Sequence, residues 1–180
     1  MRSRLSLTAL ALAAGLVAAP SASIAQIADQ GSGGVTKVLA SEAAGFNAAA
    51  VQALIKRGDA AAAAGNLAEA RKDYDNARVA AKQLLNFYRQ LSTAFTGVDS
   101  RIPREMGTKG IAAAGLLAEV NLRLAALFRR QNQPEVAVPV LVEVIQLMTP
   151  RHSQGQKAYQ ILLELGFVET PFAAAKPAGN

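Results

Sequence analysis

An apolar stripe between Leu67 and Phe95 is the strongest constraint that this sequence places on its fold. Its members follow one another at spacings of three or four residues: Leu67, Ala70, Tyr74, Ala77, Ala81, Leu84, Tyr88, Leu91 and Phe95. Only an α-helix brings such positions to one side, and the residues between them are largely polar. The stripe predicts an amphipathic helix of about eight turns that ends at Gly97.

The remaining periodic segments predict further helices on either side of this one. Their expected ranges are 37–45, 48–64, 103–130, 135–148 and 153–165. The β-branched run 136–145 also fits a strand, but Pro139 argues against a central strand and no second strand is present to pair with it. We therefore expect an all-α fold of antiparallel helical hairpins with about five to six helices. The helix over 135–148 can be kinked at Pro139.

The chain begins with a segment typical of an export signal. A short basic start is followed by an apolar run from Leu5 to Ala19 and by small residues at Ser23 and Ala25. The run is shorter than the roughly 18 to 20 apolar residues that cross a bilayer. We predict a cleavable signal peptide over residues 1–25, and an uncleaved anchor helix is the alternative. Beyond it we expect a Gly/Ser-rich flexible linker over 26–35, a helical domain over 36–166 and a disordered tail over 167–180.

Several kinds of active site are excluded by composition. The chain contains no Cys and a single His, so neither a thiol nucleophile nor a His-based multidentate metal site is available. That residue, His152, lies between two predicted helices, where it or Ser153 is expected to cap the last helix. The acidic residues are scattered rather than paired. We therefore expect no catalytic residue, no metal and no cofactor, and a protein that is not an enzyme.

The charge is modestly basic and uneven. Lys and Arg outnumber Asp and Glu by 19 to 13, and loss of Arg2 and Arg4 with the signal peptide lowers the net charge from +6 to +4. The excess lies between Arg71 and Arg130 and is too small for a dense nucleic-acid-binding patch, so no nucleic-acid partner is expected. A basic middle suits an acidic protein or an anionic membrane surface, and a solvated helix face is the simpler interpretation.

The segment 51–84 resembles a tetratricopeptide repeat over a full 34-residue unit. Its matching residues are the small residue, the interhelix turn and the small–aromatic–small pattern of the second helix: Gly58, Gly65, Asn66, Ala70, Tyr74 and Ala77. A second unit over 118–151 shares this pattern through Ala125, Ala137 and Leu141. The resemblance implies a right-handed stack of hairpins, in which Gly58 faces Ala70 while Tyr74 fills the gap beside them.

Two departures accompany the resemblance. Arg57 stands where the family usually has a large apolar residue, and 85–117 does not form a clean third repeat. Two units are fewer than the three or so that an independent stack requires, so terminal helices or a partner must cap it.

A groove along the first helices of the units is the candidate binding site that the resemblance implies. One of these helices exposes Gln52 and Lys56, and the other exposes Arg123, Arg129 and Arg130. Such a basic groove suits an acidic peptide in an extended or helical form.

A second candidate is the loop around a predicted helix start, which carries Arg101, Arg104 and Lys109. Free backbone N–H groups at a helix start favour anions, so the loop suits an acidic segment, a phosphate or a lipid head group. An exposed solvated turn is the alternative.

The second half of the chain, from Asn121 onward, is also similar to small exported cyanobacterial proteins of tetratricopeptide-like character. That similarity implies the periplasm or the thylakoid lumen, with the extracellular space as the alternative, and it implies no defined activity. The expected function is a non-enzymatic adaptor or assembly protein that binds another protein, with oligomeric state left open. A small structural subunit, docked peripherally on a membrane complex through the basic middle, is the alternative.

Overall fold

A computed structural model describes residues 46–172, and every regular element in that range is helical. The five helices are α1 (Ala48–Ala63), α2 (Leu67–Ala94), α3 (Arg101–Arg130), α4 (Pro134–Met148) and α5 (Ser153–Glu164). The prediction of an all-α fold is confirmed, and the β-branched run 136–145 lies in α4 with Pro139 inside the helix. The predicted signal peptide, linker and helix 37–45 lie outside the described residues.

Side-chain caps and left-handed residues set the helix ends. Asn47 accepts a hydrogen bond from the Ala50 backbone N–H at 2.8 Å, and Asn66 accepts one from the Glu69 N–H at 3.3 Å. These bonds satisfy donors that the first turn of a helix leaves free. A residue with positive φ follows each of the five helices, and after three of them it is a glycine: Gly65, Gly97 and Gly166. Glycine tolerates this conformation best, so the helices end where the sequence predicted.

The third helix begins at Arg101 rather than at the predicted Pro103. The Asp99 carboxylate accepts a hydrogen bond from the Arg101 backbone N–H at 2.9 Å, which starts the helix two residues earlier. Pro103 still lies in the first turn, where its missing N–H removes no helical hydrogen bond.

The helices pack as consecutive antiparallel pairs around α3. Short connections join each helix to the next, and α3 contacts all four of the others. Because α3 also contacts α1 and α5, these three helices form one layer, against which α2 and α4 pack. By length and composition α3 is apolar enough to cross a membrane, yet it is the central helix of this core and 56% of its apolar window is buried.

Close contact between α1 and α2 depends on Gly58. A Cβ atom at this position would lie 2.5 Å from Cε1 of Tyr74, so the tyrosine ring packs directly on the glycine. The ring does not merely fill a gap beside a Gly58–Ala70 contact, as the sequence suggested. Arg57, the departure from the family pattern, pairs with Asp73 of α2, whose side chain is almost fully buried.

Two helices extend well beyond their neighbours. α2 and α3 have 28 and 30 residues, whereas α1 and α4 have 16 and 15. Phe46, just before α1, contacts Phe87 with 5.6 Å between ring centroids, and Leu147 near the end of α4 lies in one groove with Leu85. Residues 88–114 continue past these points as a helical hairpin, which we name the arm.

The chain after α5 folds back onto that helix. Phe167 donates its backbone N–H to the Leu162 carbonyl at 3.0 Å. The Tyr159 hydroxyl donates to the Thr170 carbonyl at 2.7 Å, and the Phe172 ring centroid lies 6.1 Å from that of Tyr159. The first residues of the predicted tail therefore pack on α5, and residues 173–180 lie outside the described part of the chain.

Candidate partner-binding groove

A groove of about 700 Å³ runs between α3 and α5. We name it the α3–α5 groove, and the residues that line it are Glu119, Leu122, Arg123, Ala126, Arg129, Ser153, Gln154, Lys157, Gln160, Ile161 and Glu164. Leu122, Ala126 and Ile161 give it an apolar strip, while charged and amide side chains surround that strip. A concave surface with apolar contacts and a few polar groups is the usual form of a binding site.

Two of the three predicted arginines of the groove, Arg123 and Arg129, have acidic partners in the chain. Arg123 lies 2.8 Å from Asp59 of α1 and 2.9 Å from Glu119, so it links two helices of the layer. Arg129 reaches Glu164 of α5 at 3.4 Å, which is a long and exposed contact. Because the predicted cations are accompanied by acids, the groove is mixed in charge rather than uniformly basic.

The other predicted groove residues lie toward α1. Arg130 donates to the Ala62 carbonyl at 3.1 Å and thereby ties the end of α3 to α1. Gln52 and Lys56 lie on the exposed side of α1, where they line a separate shallow depression. The structure therefore brings Arg123 and Arg129 into the α3–α5 groove and leaves Gln52 and Lys56 outside it.

Local contacts occupy the cations of the predicted loop site. Arg101 pairs with Asp99 at 2.7 Å, and Lys109 pairs with Glu105 at 2.6 Å. Arg104 donates to the Ser100 hydroxyl at 2.9 Å and to its carbonyl at 3.2 Å. All three residues lie in the first turns of α3 rather than in a loop, because the helix already begins at Arg101. Their contacts stay within six residues, which favours an exposed, solvated helix start over an anion site.

Asp59 is the centre of a polar cluster at the α1, α2 and α3 junction. It accepts hydrogen bonds from the Tyr74 hydroxyl at 2.6 Å and from Arg123 Nε. Burial opposes ionisation of the carboxyl, but the bonds from Arg123 and Tyr74 outweigh it and hold the pKa of Asp59 below its usual value. Burial and the bond to Asp59 raise the pKa of Tyr74. Both groups keep their neutral-pH protonation states, which suits a structural cluster.

A second polar cluster joins α2, α3 and α4, and sequence analysis missed it. Glu143 of α4 accepts from Arg78 at 2.5 Å, from Lys82 at 2.8 Å and from the fully buried Asn121 at 3.0 Å. Burial opposes the charge of Glu143, but its bonds to Arg78 and Lys82 hold its pKa below the usual value. The cluster fixes how α4 sits on α2 and α3.

Lys157 and Gln160 of α5 are groove residues that sequence analysis also missed. Lys157 follows Arg123 by 34 residues, and Gln160 follows Ala126 by the same interval. Applying the repeat period once more, to the helix beginning at Ser153, identifies both as members of the same face. Among the described residues no ion pair involves Lys157, so it is a free cation at the groove edge.

His152 and the acidic side chains are the remaining residues to consider for chemistry. His152 occupies the N-cap position of α5, but its side chain makes no capping hydrogen bond. Within residues 46–172 no three His, Cys, Asp or Glu side chains are grouped so as to hold a metal ion.

Comparison with known proteins leaves the family open. No protein-family model, curated protein or solved structure matches this chain. The tetratricopeptide-like assignment therefore stays a prediction that depends on the matching residues within the chain itself.

Proposed function

We propose that this chain is an exported, non-enzymatic adaptor of tetratricopeptide-like hairpins that binds a segment of a partner protein in the α3–α5 groove. The observation that carries the proposal is the groove itself, whose lining combines the apolar Leu122, Ala126 and Ile161 with charged and amide side chains. Export to the periplasm or the thylakoid lumen is proposed from the signal-like residues 1–25.

The proposed partner segment combines apolar side chains with at least one carboxylate. Leu122 and Ile161 offer contacts for the apolar groups. Lys157 is available to a carboxylate, and the long Arg129–Glu164 contact is weak enough for a second carboxylate to compete with Glu164. Arg123 is held by two acids and serves to shape the groove rather than to bind the partner.

Affinity capture from the native cell envelope identifies the partner, and charge reversal in the groove then tests the proposal. The test variant carries Arg129→Glu and Lys157→Glu. Its matched control carries Arg101→Glu and Arg104→Glu, which change the charge equally at the exposed start of α3. The groove variant replaces two proposed attractions to partner carboxylates with two repulsions. We expect it to bind the purified partner about tenfold or more weakly. Equal effects of the two double variants, or no effect of the groove variant, would contradict the proposal.

A further inference from the structure

The face of α3 that receives α4 continues into the arm, where the described residues leave it uncovered. Asn121 bonds to Glu143 of α4, and Ala118 and Ala125, three and four residues away on the same face, are fully buried. Toward the arm the same helical face continues through Ala114, Ile111 and Gly107, at steps of three or four residues. Because α4 has half the length of α3, it covers only part of this face.

The uncovered part is a groove of about 480 Å³ with an exposed apolar wall. Its lining, which we name the arm groove, comprises Leu85, Tyr88, Arg89, Ser92, Thr93, Met106, Gly107, Gly110, Ile111, Ala114 and Leu147. Ile111 is 72% exposed. A Cβ atom at Gly107 would meet nothing within 4 Å, so packing within the described chain does not require a glycine there. The arm groove thus combines an open volume with exposed apolar side chains, on the same face of α3 that packs against α4.

Among the described residues, the charge of the arm groove has no acidic partner. Arg89 is its only charged lining residue, and among the described residues its guanidinium takes part in no ion pair. Arg89 follows Lys82 by seven residues, which is two turns along the same side of α2. Lys82 is the residue that pairs with Glu143 where α4 occupies the face. A basic residue thus recurs along α2 beside the uncovered part of the face. No acidic residue of the described chain pairs with it there, as Glu143 pairs with Lys82.

We propose that the arm groove receives an amphipathic helix of a partner protein, which continues the line of α4 and pairs an Asp or Glu with Arg89. Small residues at Gly107 and Ala114 let the helix approach closely, and Ile111 contacts its apolar face. This surface is separate from the α3–α5 groove, and the inference does not depend on the function proposed for that groove.

The test uses the whole protein and two synthetic alanine-based amphipathic helices of about four turns with a leucine stripe. One probe carries Glu at the edge of its stripe, and the matched probe carries Lys there. By fluorescence anisotropy the Glu probe is expected to bind about fivefold more tightly than the Lys probe. Arg89→Glu is expected to reverse that order, while Arg129→Glu with Lys157→Glu in the other groove leaves it unchanged.

Substitution of the apolar wall completes the test. Ile111→Asp is expected to weaken both probes about tenfold or more, while Val98→Asp, at a residue 77% exposed outside the arm groove, leaves both unchanged. Circular dichroism confirms that each variant is folded. Equal binding of the two probes, absence of binding, or equal effects of the two Asp variants overturns the proposal. Two further results would also overturn the proposal: a dimer of this protein that Ile111→Asp abolishes, or binding to phosphatidylglycerol vesicles that Ile111→Asp abolishes. In these cases the face binds a second copy or a membrane.

Discussion

Gly58 and Tyr74 form the contact that brings α1 and α2 together. The ring packs on the glycine, and its hydroxyl reaches Asp59, which in turn binds Arg123 of α3. One aromatic residue therefore connects three helices, through an apolar contact at its ring and a polar contact at its tip.

Replacement of Gly58 tests this contact. Gly58→Ala places a methyl group 2.5 Å from the Tyr74 ring, so the ring must move and its bond to Asp59 is disturbed. We expect a loss of about 1–3 kcal/mol in the free energy of unfolding. Gly115→Ala is the matched control, because a Cβ there meets nothing within 4 Å and alanine favours the helix. Chemical denaturation that shows both variants equally stable would contradict this account.

The Arg57–Asp73 pair makes a second prediction. Asp73 is 2% exposed and depends on Arg57 for compensation of its charge. Arg57→Ala leaves that carboxylate buried without its cation, and we expect a loss of thermal stability. Arg57→Leu combined with Asp73→Leu removes both charges and is expected to recover most of that loss. Thermal unfolding of the single and double variants decides, and a double variant less stable than Arg57→Ala contradicts the explanation.

The repeat pattern predicted which positions need a small or an aromatic residue, but it did not predict the individual contacts of those residues. The repeat pattern identified a small residue at Gly58 and an aromatic one at Tyr74, because such types recur at fixed spacing. Nothing in the pattern indicated Gly155, whose Cβ would collide with the Thr149 carbonyl. That requirement follows from the turn before α5, where Thr149 has a φ of 54°, and periodicity carries no information about such a turn.

Helices were predicted well because their apolar spacing is a property of each segment alone. α4 was the ambiguous one, since its Val and Ile content fits a strand and its Pro139 does not favour a helix. Packing on α3 and the bonds of Glu143 to Arg78 and Lys82 stabilise the helical form of α4. These tertiary contacts override local preference, and no single segment reveals them.

Pro139 is expected to destabilise α4 at an exposed position. It lacks the N–H that would bond to the Glu135 carbonyl one turn earlier. Pro139→Ala should therefore raise the free energy of unfolding by about 1–3 kcal/mol. Pro134→Ala, at the first helical position, is the control and should change it by less than about 0.5 kcal/mol. A Pro139→Ala protein that is less stable than wild type would contradict this prediction and would show that packing of the proline ring stabilises the fold.

Acid is expected to weaken the link between α2 and α4. The pKa of Glu143 in the folded protein lies below its ordinary value of 4.5, so its stabilising effect is present above that pH and is lost as pH falls through the folded value. Glu143→Gln should lower the free energy of unfolding by about 1 kcal/mol at pH 7, with the difference from wild type shrinking in acid. A difference that stays constant between pH 7 and pH 3 would contradict the assignment.

The helices together form a layer of α1, α3 and α5 that α2 and α4 support. Arg123 ties α3 to α1 through Asp59, and Arg129 connects α3 with α5 through Glu164. The sequence predicted that Arg123 and Arg129 share a face, but not that acids from other helices accompany them. Asp59 and Arg123 are 64 residues apart, and only the assembled fold brings them into contact.

The central claim is that the α3–α5 groove receives a segment of a partner protein. Site-specific photo-crosslinking in the native cell envelope tests it most directly, with the photoreactive residue placed at Ala126 on the apolar strip or at Asn76 on the exposed side of α2. We predict that Ala126 yields a discrete crosslinked partner and that Asn76 does not. A crosslink from Asn76 with none from Ala126, or the same products from both positions, would contradict the claim.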